Sequence, residues 1–315
     1  MIRERIILLI LSISLCVTFY YFSKDAVIRG THIEYKVKTF TSILTGGLEN
    51  HIKQVYPPWR GRLFSALAGN GFMKFAGVNK LTNKDEFAER CAAYNAVWLF
   101  GCFIVIMAFS KNPILFILGL FACSSYAWTP AGEFMLLPWD GPILFFWTLI
   151  FFLARPEYKK WMFLTMAIGV GFKESIILAS IIPLFWNGPI KERIKNFIMA
   201  GIICVTVKLT LDFIVQNPIP FLSMQTHYDT ICRTGQYWII HRNLWSLNQP
   251  ILNHVIFSAG GLIAAILLLP KKAIMFKTIA LCYMLLIMFF GVITEARLWN
   301  ELIPMFFIGL ERSKI

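Results

Sequence analysis

Charge is what this sequence has least of. Only 15% of its 315 residues are Asp, Glu, Lys or Arg, whereas a soluble domain carries about 25%. Hydrophobic residues make up 57%, and mean hydropathy is +0.65. This excludes a soluble two-domain enzyme. Also missing is the short alternation of apolar and polar residues that a transmembrane barrel requires. Long unbroken apolar runs occur instead, so the fold class is all-α: a polytopic transmembrane helical bundle forming a single membrane domain over residues 1–315. At about 20 residues per span, the runs supply about nine to eleven membrane helices, one short-helix hairpin included.

Acids are scarcer than bases, 17 against 30, which leaves a net charge of +13. Nucleic acid is one reading of such an excess. In a polytopic chain, basic residues instead hold cytoplasmic loops and face anionic lipid, so membrane lipids are the expected partners and nucleic acid is not. Cysteine adds little. Cys16, Cys102, Cys123, Cys204 and Cys282 lie in apolar runs, where they read as small buried hydrophobes. Cys91 and Cys232 stand near loop edges, with no spacing that supports a disulfide. No cleavage site follows the first run, Ile6 to Phe22 after Arg3 and Arg5, which reads as an uncleaved helix with a cytoplasmic N-terminus. There is no internal repeat.

The remaining runs are Cys91 to Phe109, Pro113 to Trp128, Leu137 to Ala154, Trp161 to Trp186, Phe197 to Val215, Ile251 to Leu269, Ala273 to Ile293 and a short Leu298 to Leu310. Residues 23–90 form a first outer segment, in which Tyr35 to Leu44 and Leu63 to Phe75 suit interfacial helices. Residues 216–250 form a second outer loop. A single span from Trp161 to Trp186 would put Arg155, Lys159 and Lys160 opposite Lys191, Arg193 and Lys195, although both clusters want the cytoplasm. The conflict disappears if Lys173-Glu174 is the tip of a hairpin of two short helices. Each arm of about 12 residues rises about 18 Å, short of a hydrocarbon core about 30 Å thick. The tip then ends in a protein-lined recess, where charged chain is tolerated. Lys111, Lys271, Lys272, Lys277, Arg312 and Lys314 all become cytoplasmic with this topology, and the unusual polar residues gather on the outer face.

On that face, YPPWRGRL sets Tyr56, Trp59, Arg60 and Arg62 around a rigid Pro57-Pro58. Guanidinium groups suit bidentate phosphate recognition, and Arg with Trp also anchors at the interface. THIEY brings His32, Glu34 and Tyr35, with Asp25 and Glu49 as further acids. Asp140, before Pro142, reads first as a helix cap and second as a partner for a cation across the recess. Lys173 and Glu174 are costly in an apolar stretch. Being adjacent, they want different partners: an Arg for Glu174 and an anionic ligand for Lys173. The second loop carries His227, Asp229, Cys232, Arg233, His241 and Arg242. Its spacing matches no zinc pattern, so it reads as a substrate loop, with no metal or other cofactor. Near the end come Glu295, Arg297 and Glu301, of which Arg297 and Glu301 have the i,i+4 spacing of a helical surface pair.

Arg60-Gly-Arg62-Leu63, Asp140-Gly-Pro142, Lys173-Glu174 and Glu295-Ala-Arg297, in this order, resemble the GT-C class of membrane glycosyltransferases, and more narrowly an uncharacterised bacterial branch with R-x-R-L, D-x-P, K/R-E and E-x-R segments. The resemblance implies a polyprenyl-phosphate-linked sugar as donor and an acceptor on the outer face of a bacterial inner membrane, in cell-envelope polysaccharide synthesis. It also implies Glu34 as the base and Arg60, Arg62, Lys173 and Arg297 as holders of the lipid phosphate. Catalysis would be inverting and metal-independent. Tyr56, Asp140, Glu174, His227, His241, Arg242 and Glu295 complete the expected substrate site. Better-known members carry two adjacent acids in the first outer loop and a soluble C-terminal domain; this chain has neither. The competing readings are a transporter or flippase of a lipid-linked or anionic substrate, another lipid-linked transferase such as an O-acyltransferase with His227 or His241 as base, and a non-catalytic membrane subunit.

Overall fold

The computed structural model describes residues 2–29, 33–55, 61–77, 84–126, 140–216, 261–290 and 301–313, about 90% of them helical and, among these, none in a strand. The elements run α1 (Ile2–Arg29), α2 (Ile33–Gln54), α3 (Leu63–Phe75), α4 (Lys84–Phe109), α5 (Pro113–Tyr126), α6 (Asp140–Phe152), α7 (Lys159–Phe172), a 3-10 helix (Glu174–Phe185), α8 (Ile190–Ile214), α9 (Gly261–Leu268), α10 (Ile274–Phe290) and α11 (Leu302–Ser313).

A water-soluble helix turns its apolar stripe inward, and here the outward faces are apolar as well. α1 exposes Ile6, Ile7, Ile10, Ile13 and Val17; α8 exposes Ile190, Ile194, Ile198, Ile202, Val205, Leu209 and Phe213 at steps of three and four. Exposed apolar surface on this scale marks a lipid-facing surface. Three helices are long and apolar enough to cross a membrane: Glu4–Lys24, Asp85–Phe109 and Ile190–Ile214. Shorter apolar helices, Pro113–Ala122, Asp140–Phe152 and Glu174–Phe185, pack among them. This is an α-helical membrane protein.

The core lies between α4, α6, α7, the 3-10 helix, α10 and α11, where Phe103, Ile106, Trp147, Phe151 and Ile279 are completely buried. α1 packs along α4, α8 along the 3-10 helix, and α2 against α3. Close approach at one crossing depends on a glycine: a Cβ on Gly119 would overlap the Phe307 ring.

Several boundaries differ from the apolar runs. α4 and α8 begin at Lys84 and Ile190, each a full turn or more before its run. Their first turns carry Asp85, Glu86 and Glu192, acids that suit the positive end of a helix. The expected helix Tyr35 to Leu44 lies in α2, which continues to Gln54 across a kink at Gly46-Gly47. Gly47 has φ of 66° and ψ of −159°, a conformation open essentially to glycine alone. Beyond the kink the chain folds back on itself: Asn50 donates to the Ser42 carbonyl at 2.9 Å, and the buried Ser42 hydroxyl and His51 Nδ1 lie 2.8 Å apart.

The basic turns meet at one end. Arg312, at the end of α11, donates to the Phe151, Phe152 and Ala154 carbonyls at the end of α6, where a cation complements the helix dipole. Glu311 accepts from the Ser110 hydroxyl at 2.8 Å and the Lys111 amide at 2.6 Å, which ties in the α4–α5 turn. Arg193 donates to the Leu184 carbonyl. Lys159 and Lys191, which start α7 and α8, therefore share the end that holds Lys111 and Arg312, as the charge pattern requires.

Candidate functional site

The local sequence GVGFKES breaks the helix. Gly169 and Gly171 weaken its last turn, and α7 stops at Phe172. Lys173 is extended, with φ −159° and ψ 133°. A 12-residue 3-10 helix then starts at Glu174. Trp161 to Trp186 is thus two arms and not one helix. The second arm differs from the two equal α-helical arms expected: at about 2 Å per residue its 12 residues reach about 24 Å. Each charge suits the helix end it occupies, with Lys173 at the negative end of α7 and Glu174 at the positive end of the 3-10 helix. Successive side chains of an extended segment point to opposite sides, so the two find separate partners.

Glu174 meets Arg62, the residue before α3. The Arg62 Nε donates to Oε2 at 2.9 Å and a terminal nitrogen donates to Oε1, a two-bond fork that suits guanidinium and carboxylate. The Arg62 side chain is 12% exposed and that of Glu174 is 38% exposed, so the pair opens to the surroundings on the carboxylate side. α3 is fixed to the break twice more. Ser65 donates to the Phe172 carbonyl at 3.0 Å, pairing an orphan helix-end acceptor. Phe64 lies where a Cβ on Gly171 would stand. Trp98 and Phe146 close round the Phe172 ring, at centroid distances of 5.6 and 4.9 Å.

Lys173 was expected to face an anionic ligand; its ammonium is held by Glu301 instead. Glu301 is completely buried. It also accepts from the Ser175 hydroxyl at 2.6 Å and the Trp147 indole N–H at 2.9 Å, and Tyr283 hydrogen-bonds to it. One carboxylate thereby joins the break, α6, α10 and the start of α11. Buried charge is tolerable when it is paired and its remaining lone pairs are filled. Glu301 is therefore a buried core junction and not a surface residue; Arg297, its expected i,i+4 partner, lies outside the described residues.

A third ion pair was missed in the sequence. Lys208 and Asp212 pair at 2.5 Å within α8, and Lys208 also interacts electrostatically with Glu174. The signal was present: two charges at i,i+4 inside the apolar run Phe197 to Val215. Leu211 and Val215 pack with Leu63, Phe64, Ile43 and Ile52, so α8 and the second half of α2 adjoin the foot of Arg62.

The depth of the site follows from helix geometry. From Arg312 back to Glu301 is about 17 Å, and from Lys159 to Lys173 about 21 Å, at 1.5 Å per residue. Both fall short of the hydrocarbon thickness of about 30 Å, so with the basic end at one membrane surface the pairs would lie within the apolar layer.

The other expected site residues are divided. Asp140 is buried as the first residue of α6, where the Asn95 side chain accepts from the Gly141 amide at 3.0 Å. It stands about 10 Å along the helix from Trp147. Glu34 lies in the first turn of α2, about 14 Å along that helix from Ile43. Tyr56, Arg60, His227, His241, Arg242, Glu295 and Arg297 lie outside the described residues, as does Cys232, while Cys91 is completely buried.

Fold and site together define a class: an α-helical membrane protein with charge pairs gathered at a broken helix. No family model, curated protein or solved structure matches the chain.

Proposed function

We propose that the protein is a membrane glycosyltransferase that moves a sugar from a polyprenyl-phosphate donor to an acceptor on the outer face of the membrane. In this reading the chain has about nine to eleven membrane helices, lies in a bacterial inner membrane, and keeps its basic end and N-terminus in the cytoplasm. The observation that carries it is the fork between Arg62 and the half-open Glu174, set beside Lys173 at a helix break within the apolar layer. A lipid phosphate reaching that point meets a guanidinium already oriented for two oxygens, and it replaces Glu174 as the acceptor.

Glu34 takes the proton from the acceptor hydroxyl. The hydroxyl oxygen bonds to the anomeric carbon as the bond from that carbon to the phosphate oxygen breaks. The electron pair leaves with the phosphate, whose charge Arg62 stabilises. The prenyl chain lies along the apolar helix faces.

Binding and transfer separate the roles. Glu34→Gln keeps shape but cannot accept the proton, so it should bind a polyprenyl-phosphate sugar as wild type does while transferring none. Arg62→Ala should weaken binding itself, by about 1.5–3 kcal/mol for a lost charged hydrogen bond. Full transfer by Glu34→Gln removes Glu34 from the mechanism and leaves Asp25 or Glu49 as base. A carrier is the second reading, favoured by the break itself, since broken helices also form transport sites. It predicts that binding and flux fall together and that no variant makes a glycosidic bond.

A further inference from the structure

At the basic end, α8 carries Lys-Glu-Arg-Ile-Lys over residues 191–195, and its three cations are used differently. Arg193 is turned onto the Leu184 carbonyl and serves the fold. Lys191 and Lys195, one turn apart, border a shallow open groove along the α8 surface with Ile194, Ile198, Met199 and Ile202. Among the described residues, neither lysine has a carboxylate partner. That contrasts with Lys24, Arg62, Lys173 and Lys208, each of which is paired with an acid. Ile194, Ile198 and Ile202 are each 44–60% exposed and continue the groove down the helix toward the apolar layer.

Two unpaired ammonium groups above a strip of exposed isoleucines complement a molecule with an anionic head and a hydrocarbon tail. We infer that this groove is a binding site for an anionic phospholipid of the surrounding leaflet, its phosphate between Lys191 and Lys195 and an acyl chain along Ile194, Ile198 and Ile202. The site is separate from the charge pairs at the helix break and does not depend on the proposed transfer reaction.

Native mass spectrometry of the full chain, titrated with phosphatidylglycerol or phosphatidylcholine, tests this. Wild type should retain phosphatidylglycerol over phosphatidylcholine. The double variant Lys191→Gln/Lys195→Gln should lose that preference by about 25-fold, since one basic residue near an anionic surface is worth about fivefold. Lys271→Gln/Lys272→Gln removes the same charge from an exposed turn outside the groove and should keep the preference. Ile198→Trp fills the groove at an exposed position, leaves both lysines in place, and should weaken retention as well. Equal losses in the two lysine pairs would overturn the site in favour of a diffuse charge effect. Unchanged retention in Ile198→Trp would overturn the acyl seat, as would equal competition by glycerol phosphate. Absence of any preference in folded wild type would overturn the whole inference.

Discussion

The two ends of the bundle treat charge in opposite ways. Toward the break, cations are matched with acids: Arg62 with Glu174, Lys173 with Glu301 and Lys208 with Asp212. At the basic end, Lys191 and Lys195 flank Glu192 in sequence and make no ion pair among the described residues, and Arg193 and Arg312 bond to backbone carbonyls. Desolvation explains the difference. Charge inside the apolar layer must bring its counter-charge with it, whereas charge at the headgroup level is met by water and lipid phosphate. A bilayer thus explains the basic end, while the pairing at the break requires a cause within the chain.

The comparison breaks most readily at Glu301. Glu301→Gln keeps an acceptor for Ser175 and Trp147 but strands the Lys173 ammonium, so it should cost about 3–5 kcal/mol, read as a large fall in thermal stability in detergent. Adding Lys173→Met should restore much of that loss, because the stranded charge goes with it. If the single variant is harmless, Glu301 is not the junction described. Next in size is Gly171→Ala, which forces Phe64 off the break and should cost about 1–3 kcal/mol of overpacking. Gly201→Ala is its control, in a helix where a Cβ meets nothing within 4 Å, and it should be neutral or slightly stabilising. Arg62→Lys comes third. It loses one of the two bonds of the fork while keeping the charge, which should cost about 1 kcal/mol. Lys191→Gln/Lys195→Gln should change stability least, within about 0.5 kcal/mol, and a large fall there would mean that both ends depend on internal pairing.

The spans were readable in the sequence because a membrane helix is a long, local signal. α1, α4 and α8, the three helices long and apolar enough to cross a membrane, fall within or across expected runs, and the break at Lys173 followed from charges that could not lie on opposite sides. What the break touches was not readable. Arg62 and Glu174 are 112 residues apart, and Lys173 and Glu301 are 128 apart, so no local spacing could join them. Glu301 was instead matched with its helical neighbour Arg297, the pairing that sequence distance favours. The second arm also gave no sign of being 3-10, since its apolar residues, buried or half-buried, satisfy either helix. Lys208 and Asp212 were legible in principle, but the apolar run around them concealed them.

Transfer itself remains the direct test of the central claim, that the charges at the break serve a lipid-phosphate sugar. Purified protein is incubated with radiolabelled polyprenyl-phosphate sugars and a membrane extract of acceptors, and label is followed into a product that no longer carries the lipid. The account predicts that label moves with wild type and does not move with Glu34→Gln. Folded wild-type protein that moves label from none of the donors would contradict it and leave the carrier or subunit in its place.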